Sequence, residues 1–174
     1  MNGISVFLIA RFVHVVAGVA WAGALIFIPW FVLPAVRASG SAGGTFMQQI
    51  VRVQKLPMHL IGLMALTILS GLSLYWLDIT ALGAAWMRTG PGRTFSLGGA
   101  FAILAALLGL LVNAPTAGKL SALAASIHAA GAPPTPAQGA ELGRLQTRLT
   151  RAGEGAAALI LLAVACMGVA RYIP

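Results

Sequence analysis

Acidic residues are scarce in this chain, which has 3 Asp and Glu residues among 174. It offers no evident pair of carboxylates and no Ser-His-Asp set, so acid–base hydrolysis has few groups to work with. Charged residues of either sign make up 8% of the chain and hydrophobic residues 59%. Because a soluble domain carries roughly 25% charged residues, the composition predicts an integral membrane protein.

Cysteine is equally rare, since Cys166 is the only one in the sequence. One cysteine can form neither an intramolecular disulfide nor a thiolate metal cluster. A buried cysteine in a membrane protein behaves as a small apolar residue. Walker, dinucleotide-binding and HExxH motifs are also lacking, which argues against the nucleotide-binding and zinc-protease classes that they mark.

Long apolar runs, by contrast, dominate the chain, and they cover residues of about 4–36, 56–77, 94–114 and 154–173. Each reaches the ~20 residues that a helix needs to cross a bilayer. We predict a single all-α domain over residues 1–174, an integral membrane four-helix bundle. The loop over residues 116–150 is predicted to be cytoplasmic, with short amphipathic helices at the membrane surface. The first run is too long for a cleavable signal peptide.

The net charge of +8 is carried by short loops, so it does not indicate a nucleic-acid partner. One set of loops holds seven basic residues, Arg37, Arg52, Lys55, Lys119, Arg144, Arg148 and Arg151, and the opposite set holds three, Arg88, Arg93 and Arg171. Because positive loops stay in the cytoplasm, we predict a multi-pass protein of the bacterial inner membrane with both termini in the periplasm. Its expected partners are membrane lipid and either other membrane subunits or further copies of the chain.

The first apolar run carries Arg11, His14, Gly18 and Trp21, which are spaced 3, 4 and 3 residues apart. On an α-helix this spacing places all four on one stripe. Cationic and imidazole side chains are unfavourable in hydrocarbon and normally face a bundle interior or a water-filled cavity. The stripe therefore predicts the inner face of the first transmembrane helix.

Imidazole is a common ligand of haem iron and of copper, so His14 and His59 are the candidate metal ligands. At a helical rise of ~1.5 Å per residue, His14 lies ~12 Å below the outer boundary and Met167 ~10 Å. His59 enters from the other side, at a height that differs from His14 by ~13 Å. These heights favour His14 and Met167 as axial ligands of one haem, with Arg11 and Arg171 placed to pair with its propionates.

Simpler interpretations stay open for each of these residues. His14 could hydrogen-bond to a neighbouring helix, and Met167 could face lipid. At the inner end, Lys55, His59 and two residues of the last span, Arg151 and Glu154, are expected at similar depth. Such a group could pass protons or hold a quinone headgroup, or it could form an ion pair that fixes the register of two helices.

The segment RFVHVVAGVAWAG, from Arg11 to Gly23, resembles the first helix of small four-helix membrane proteins of the CopD type (copper-resistance permeases) and the HemJ type (protoporphyrinogen oxidases). That helix reads roughly L-H-x-x-x-x-x-x-W-x-G, and His14, Trp21 and Gly23 stand at the matching positions. The phrase SGLSLYW over residues 70–76 is a looser similarity. The chain is most similar to uncharacterised members of these groups.

The resemblance implies a membrane protein that binds b-type haem or another metal, with His14 as the carried-over ligand. HemJ-type chains also carry a lysine at the start of the third helix, where this sequence reads TFSLGGAF. The resemblance therefore implies haem binding rather than protoporphyrinogen oxidation. The residues expected to contact the cofactor are His14, Met167, Arg11, Arg171, Trp21 and His59.

We predict a small membrane protein that binds haem b and has a redox or electron-transfer role. One alternative is a non-catalytic subunit of a larger membrane complex. A second is a copper permease, in which copper replaces haem as the bound metal and His14 and His59 are the ligands.

Overall fold

A computed structural model describes residues 3–174, and every regular element in that range is helical. The first half of the chain holds α1 (Gly3–Phe27), a π-helical segment (Ile28–Val32), α2 (Leu33–Ala38), α3 (Gly40–Gln48), a second π-helical segment (Gln49–Val53) and α4 (Leu56–Leu82). The second half holds a 3-10 turn (Ala84–Arg88), α5 (Gly90–Leu108), a third π-helical segment (Gly109–Asn113), α6 (Ala114–Ala130), α7 (Pro136–Val169) and a last 3-10 turn (Ala170–Tyr172).

Several of these elements join end to end into four helices that are long and apolar enough to cross a membrane. They cover Ile4–Ala38, Leu56–Leu82, Gly90–Ala130 and Pro136–Tyr172. The chain is therefore a multi-pass membrane protein with an all-α architecture, which confirms the predicted fold class.

The third and fourth long helices extend well past the ends of the predicted spans. The sequence predicts a loop over residues 116–150 with separate short helices, whereas in the structure only residues 131–135 connect α6 to α7. Pro115 cannot donate a backbone hydrogen bond, yet it does not end the helix. The π-helical segment just before it shifts the backbone hydrogen bonds to i→i+5, which accommodates the missing donor. The alanine-rich stretch beyond it then continues as a helix, although its hydropathy falls.

The actual chain reversal has strong local signals. Gly131 closes α6 in the left-handed conformation, at φ 61°, where glycine is favoured. The Thr135 side chain accepts a hydrogen bond from the Gln138 amide, and the Gln138 side chain accepts one from the Thr135 amide. This reciprocal capping box fixes the start of α7.

The bundle is built from two helix pairs. α1 packs along α4, α5 packs along α7, and contacts between α1 and α7 join the pairs. The centre is a cluster of buried residues from three helices, Trp21, Ala22, Ala105, Ala106, Ile160 and Ala163. Leu63, Met64 and Ile68 of α4 pack against this cluster. Small residues around one tryptophan allow the helices to approach closely. Close packing is important in lipid, where the hydrophobic effect does not drive helices together.

Polar contacts link the helices at the end of the bundle that contains the predicted cytoplasmic loops. Arg37 of α2 donates to the carbonyl of Gln146, at 2.8 Å, and to the hydroxyl of Thr150, both on α7. Arg52 donates to the Ser121 hydroxyl of α6 at 3.4 Å. These contacts attach the first part of the chain to the helices that follow residue 113.

Candidate functional site

His14 lies in the contact between α1 and α4 and is partly buried. Its Nδ1 atom is 2.8 Å from the backbone carbonyl oxygen of Thr67. A carbonyl oxygen can only accept, so Nδ1 carries the proton and donates it. The Ser70 hydroxyl oxygen is a second, longer neighbour, at 3.4 Å from Nδ1. This pair of acceptors fixes the orientation of the imidazole.

Glycine at position 71 makes this contact possible. A methyl group added there would lie 2.8 Å from Cε1 of His14 and 3.1 Å from Nδ1. Thr67, Ser70 and Gly71 occupy positions i, i+3 and i+4 of α4, so they share one helix face. The next turn of α1 also contacts this face, since a methyl group at Gly18 would lie 3.5 Å from Cγ2 of Thr67.

The second ring nitrogen, Nε2, makes no hydrogen bond within the part of the chain that the structure describes. With the proton on Nδ1, the Nε2 lone pair of the neutral ring is available to a ligand. Histidines that bind metals commonly donate their other ring N–H to a backbone carbonyl, as Nδ1 of His14 does here.

An open cleft of about 570 Å³ lies along the same α1–α4 contact. It is lined by Val6, Leu69, Leu72, Ser73, Tyr75, Trp76 and Leu77. Its lining is mostly apolar, as in ligand sites, but the cleft is open along the outer surface of the bundle and does not enclose a volume. His14 itself does not line the cleft, but its neighbour Gly71 directly precedes Leu72.

Met167 is level with His14 along the bundle but lies beside a different helix. Trp21 and Ile160 share the central cluster. His14 and Met167 are each seven residues from it, or ~10 Å along α1 and α7 respectively. The Met167 side chain, however, contacts α5, where its Cε would lie 3.4 Å from a methyl group at Gly98. Since His14 turns toward α4, the structure does not bring the two predicted axial ligands together.

His59 sits elsewhere on α4 and is exposed, with its Nδ1 3.1 Å from the carbonyl oxygen of Lys55 one turn earlier. It precedes Thr67, the partner of His14, by eight residues, or ~12 Å along the helix. That separation agrees with the predicted difference in height and argues against a bis-histidine site. Arg151 and Glu154, predicted at the same mouth, are also exposed, and no hydrogen bond joins them to His59 among the described residues.

The other predicted contact residues occupy three different settings. Arg11 is exposed on α1, one turn before His14. Arg171 is exposed at the end of the fourth long helix, where its charge acts on Asp78 of α4. Trp21 is 3% exposed and fills the centre of the bundle, which makes it a packing residue.

Of these residues only His14 offers a haem an axial ligand, through an Nε2 atom that makes no hydrogen bond among the described residues, and it lies near the open cleft without lining it. They do not supply a second protein ligand at His14. Within residues 3–174, no group of three or more His, Cys, Asp or Glu side chains is arranged to hold a metal ion. The copper alternative thus stays a prediction without a ligand cluster.

The simpler interpretation of His14, a hydrogen bond to a neighbouring helix, is confirmed, although the sequence did not indicate that the acceptor is the carbonyl of Thr67. A main-chain acceptor has no signature of its own in a sequence. The available signal was the spacing of Thr67, Ser70 and Gly71 on one face of an otherwise apolar helix.

Comparison with protein-family models, with curated proteins and with solved structures finds no match to this chain. The similarity to CopD-type and HemJ-type proteins therefore stays a prediction based on the first helix.

Proposed function

We propose that this chain is a small bacterial inner-membrane protein that binds one b-type haem through Nε2 of His14 and takes part in electron transfer. The observation that supports this most directly is the 2.8 Å contact between Nδ1 of His14 and the Thr67 carbonyl. It holds the ring in the tautomer that an axial ligand needs. A bound b-type haem would supply one-electron redox chemistry at this position.

Each neighbour of His14 has a separate role in this proposal. The Thr67 carbonyl orients the imidazole and increases its basicity as a ligand. Gly71 leaves the space that the ring occupies. Arg11 is one turn nearer the outer end and can pair with a propionate through its guanidinium.

The orientation in the membrane follows from the distribution of basic residues. Seven Lys and Arg residues belong to the loops and helix extensions at one end, against three at the other. By the positive-inside tendency, the end with α3 and the α6–α7 turn faces the cytoplasm, and both termini face the periplasm. His14 then lies in the outer half of the bilayer.

The absorption spectrum of the full chain, purified in detergent from haem-replete cells, tests this proposal. We expect a Soret band that shifts on reduction and that is lost in His14→Ala. His59→Ala is the matched control, because His59 is exposed and its ring lies 3.1 Å from the carbonyl oxygen of Lys55, just before its own helix; its spectrum should be unchanged. A colourless wild-type protein, or an unaltered Soret band in His14→Ala, would disprove haem ligation by His14.

A second candidate is a non-catalytic subunit of a larger membrane complex, and the exposure of α4 favours it. Only 6% of the apolar window of α4 is buried, compared with 22% for each of the other three long helices. Its face opposite α1 is therefore available to another membrane helix. This candidate predicts that tagged chain extracted from its native membrane co-purifies with fixed partners, and that His14→Ala leaves this association intact.

A further inference from the structure

The fourth long helix carries a stripe of arginines just before its apolar part. Arg144, Arg148 and Arg151 are exposed on α7 and are spaced 4 and 3 residues apart, so they lie on one face. They border an open groove of about 600 Å³ whose lining residues are Gly143, Arg144, Thr147, Arg148, Arg151 and Ala152. Gly143 and Ala152 have little or no side chain to fill this space.

Of the three guanidinium groups in this groove, only that of Arg144 has a hydrogen-bond partner among the described residues. Arg144 donates two hydrogen bonds to the Glu141 carboxylate, at 2.6 and 2.7 Å. Arg148 and Arg151 make no hydrogen bond or ion pair with another residue of the described range. The Thr147 hydroxyl donates to the Gly143 carbonyl, so the free donors of the groove belong to Arg148 and Arg151.

The groove lies at the boundary between polar and apolar surface. Glu154 is the last charged residue before a stretch that runs to Val169 without a charge. Leu161, Leu162 and Val164 on that stretch are exposed, so acyl chains can contact them. Arg148 and Arg151 therefore precede this exposed apolar surface on the same helix, with Leu161 ~15 Å beyond Arg151 along the axis, and phosphate headgroups are expected near such a boundary.

We propose that this groove binds the phosphate of an anionic phospholipid in the adjacent leaflet, with Arg148 and Arg151 as its donors. Arginine suits this ligand because its planar fork matches phosphate oxygens. The surrounding charge has the same sign, since this end of the bundle carries seven basic residues against Glu141 and Glu154. An acidic protein would need the same charges but would not need the apolar surface next to them.

The test is native mass spectrometry of the full chain in detergent, titrated separately with phosphatidylglycerol and phosphatidylcholine. We expect the wild type to retain phosphatidylglycerol preferentially, and the preference to fall with added salt. Replacing both arginines, R148Q/R151Q, should weaken phosphatidylglycerol binding by about fivefold per arginine. The matched control R88Q/R93Q alters Arg88 in the 3-10 turn and Arg93 in the first turn of α5, at the other end of the bundle, and should leave phosphatidylglycerol binding unchanged.

Three results would overturn the proposal. Equal retention of the two lipids by the wild type would show that the headgroup is not recognised. Equal losses in R148Q/R151Q and R88Q/R93Q would show that only net charge matters. Full displacement of phosphatidylglycerol by millimolar inorganic phosphate at constant ionic strength would show that the groove binds a free anion. If R148Q/R151Q does not fold, lipid preference and salt dependence in the wild type decide the question.

Discussion

The imidazole of His14 donates from Nδ1 to the main-chain oxygen of Thr67, 2.8 Å away on the neighbouring helix. This hydrogen bond joins a side chain of α1 to the backbone of α4. Its acceptor cannot be removed by substitution at position 67, because every residue has a carbonyl. The geometry of the ring must therefore be tested through the glycine beside it.

We expect Gly71→Ala to move the His14 ring, because the new methyl group would lie 2.8 Å from Cε1. Overpacking of this kind lowers the free energy of unfolding by about 1–3 kcal/mol. If the protein binds haem through His14, the same variant should also shift the Soret band. Chemical unfolding in detergent and absorption spectroscopy measure the two effects.

Gly62→Ala is the control for that variant. Gly62 is on the same helix, and a methyl group there would meet nothing within 4 Å. Alanine is favoured over glycine in a helix by about 0.5–1 kcal/mol, so this variant should be neutral or more stable. Equal destabilisation by the two substitutions would contradict the close packing of His14 on Gly71.

We expect Trp21→Ala to be the most damaging single substitution in the central cluster. The side chain is 3% exposed and meets small residues of α5 and α7, which cannot move to fill the space it leaves. Loss of a buried tryptophan lowers unfolding free energy by about 3–5 kcal/mol. Trp76→Ala, at a position that is 66% exposed, should have a much smaller effect in the same unfolding assay. A similar cost at both positions would show that Trp21 is not the packing centre.

Arg37→Ala should loosen the contact of α2 with α7. The guanidinium donates to the Gln146 carbonyl and the Thr150 hydroxyl, and an exposed pair of such bonds contributes about 1 kcal/mol. We expect faster amide hydrogen exchange over residues 33–48, with the central cluster unchanged. Arg52→Ala removes only a 3.4 Å contact with Ser121 and should alter exchange less. Identical exchange in wild type and Arg37→Ala would rule out this role.

Hydropathy was sufficient for the overall architecture, because spanning helices in lipid must be long, apolar and internally hydrogen-bonded. It was insufficient for the helix ends. A window that measures apolarity ends the third span near Pro115, whereas backbone hydrogen bonding continues to Ala130. The helix persists there because alanine favours it without requiring burial.

For the candidate site, the sequence indicated that His14 and Met167 lie level along the bundle, but it did not indicate which helix each side chain faces. Counting residues placed His14 and Met167 at similar depth, and the antiparallel packing of α1 and α7 agrees. Rotation about each helix axis depends on which helices become neighbours, and small changes in residue size decide that. Because Gly71 has no side chain, the His14 ring can pack against α4, and Gly98 leaves space for Met167 against α5 in the same way. Neither pairing can be deduced from apolar periodicity alone.

The π-helical segment Gly109–Asn113 divides the third long helix into two halves with separate orientations. Successive residues of an α-helix are rotated by about 100°, and a π-bulge adds one residue to a turn. The segment therefore sets the azimuth of α6 relative to α5, and that azimuth turns Thr116, 3% exposed, toward the protein. If the same residues continued as a regular α-helix, α6 would be rotated by about that angle, which would expose Thr116 and separate Ser121 from Arg52.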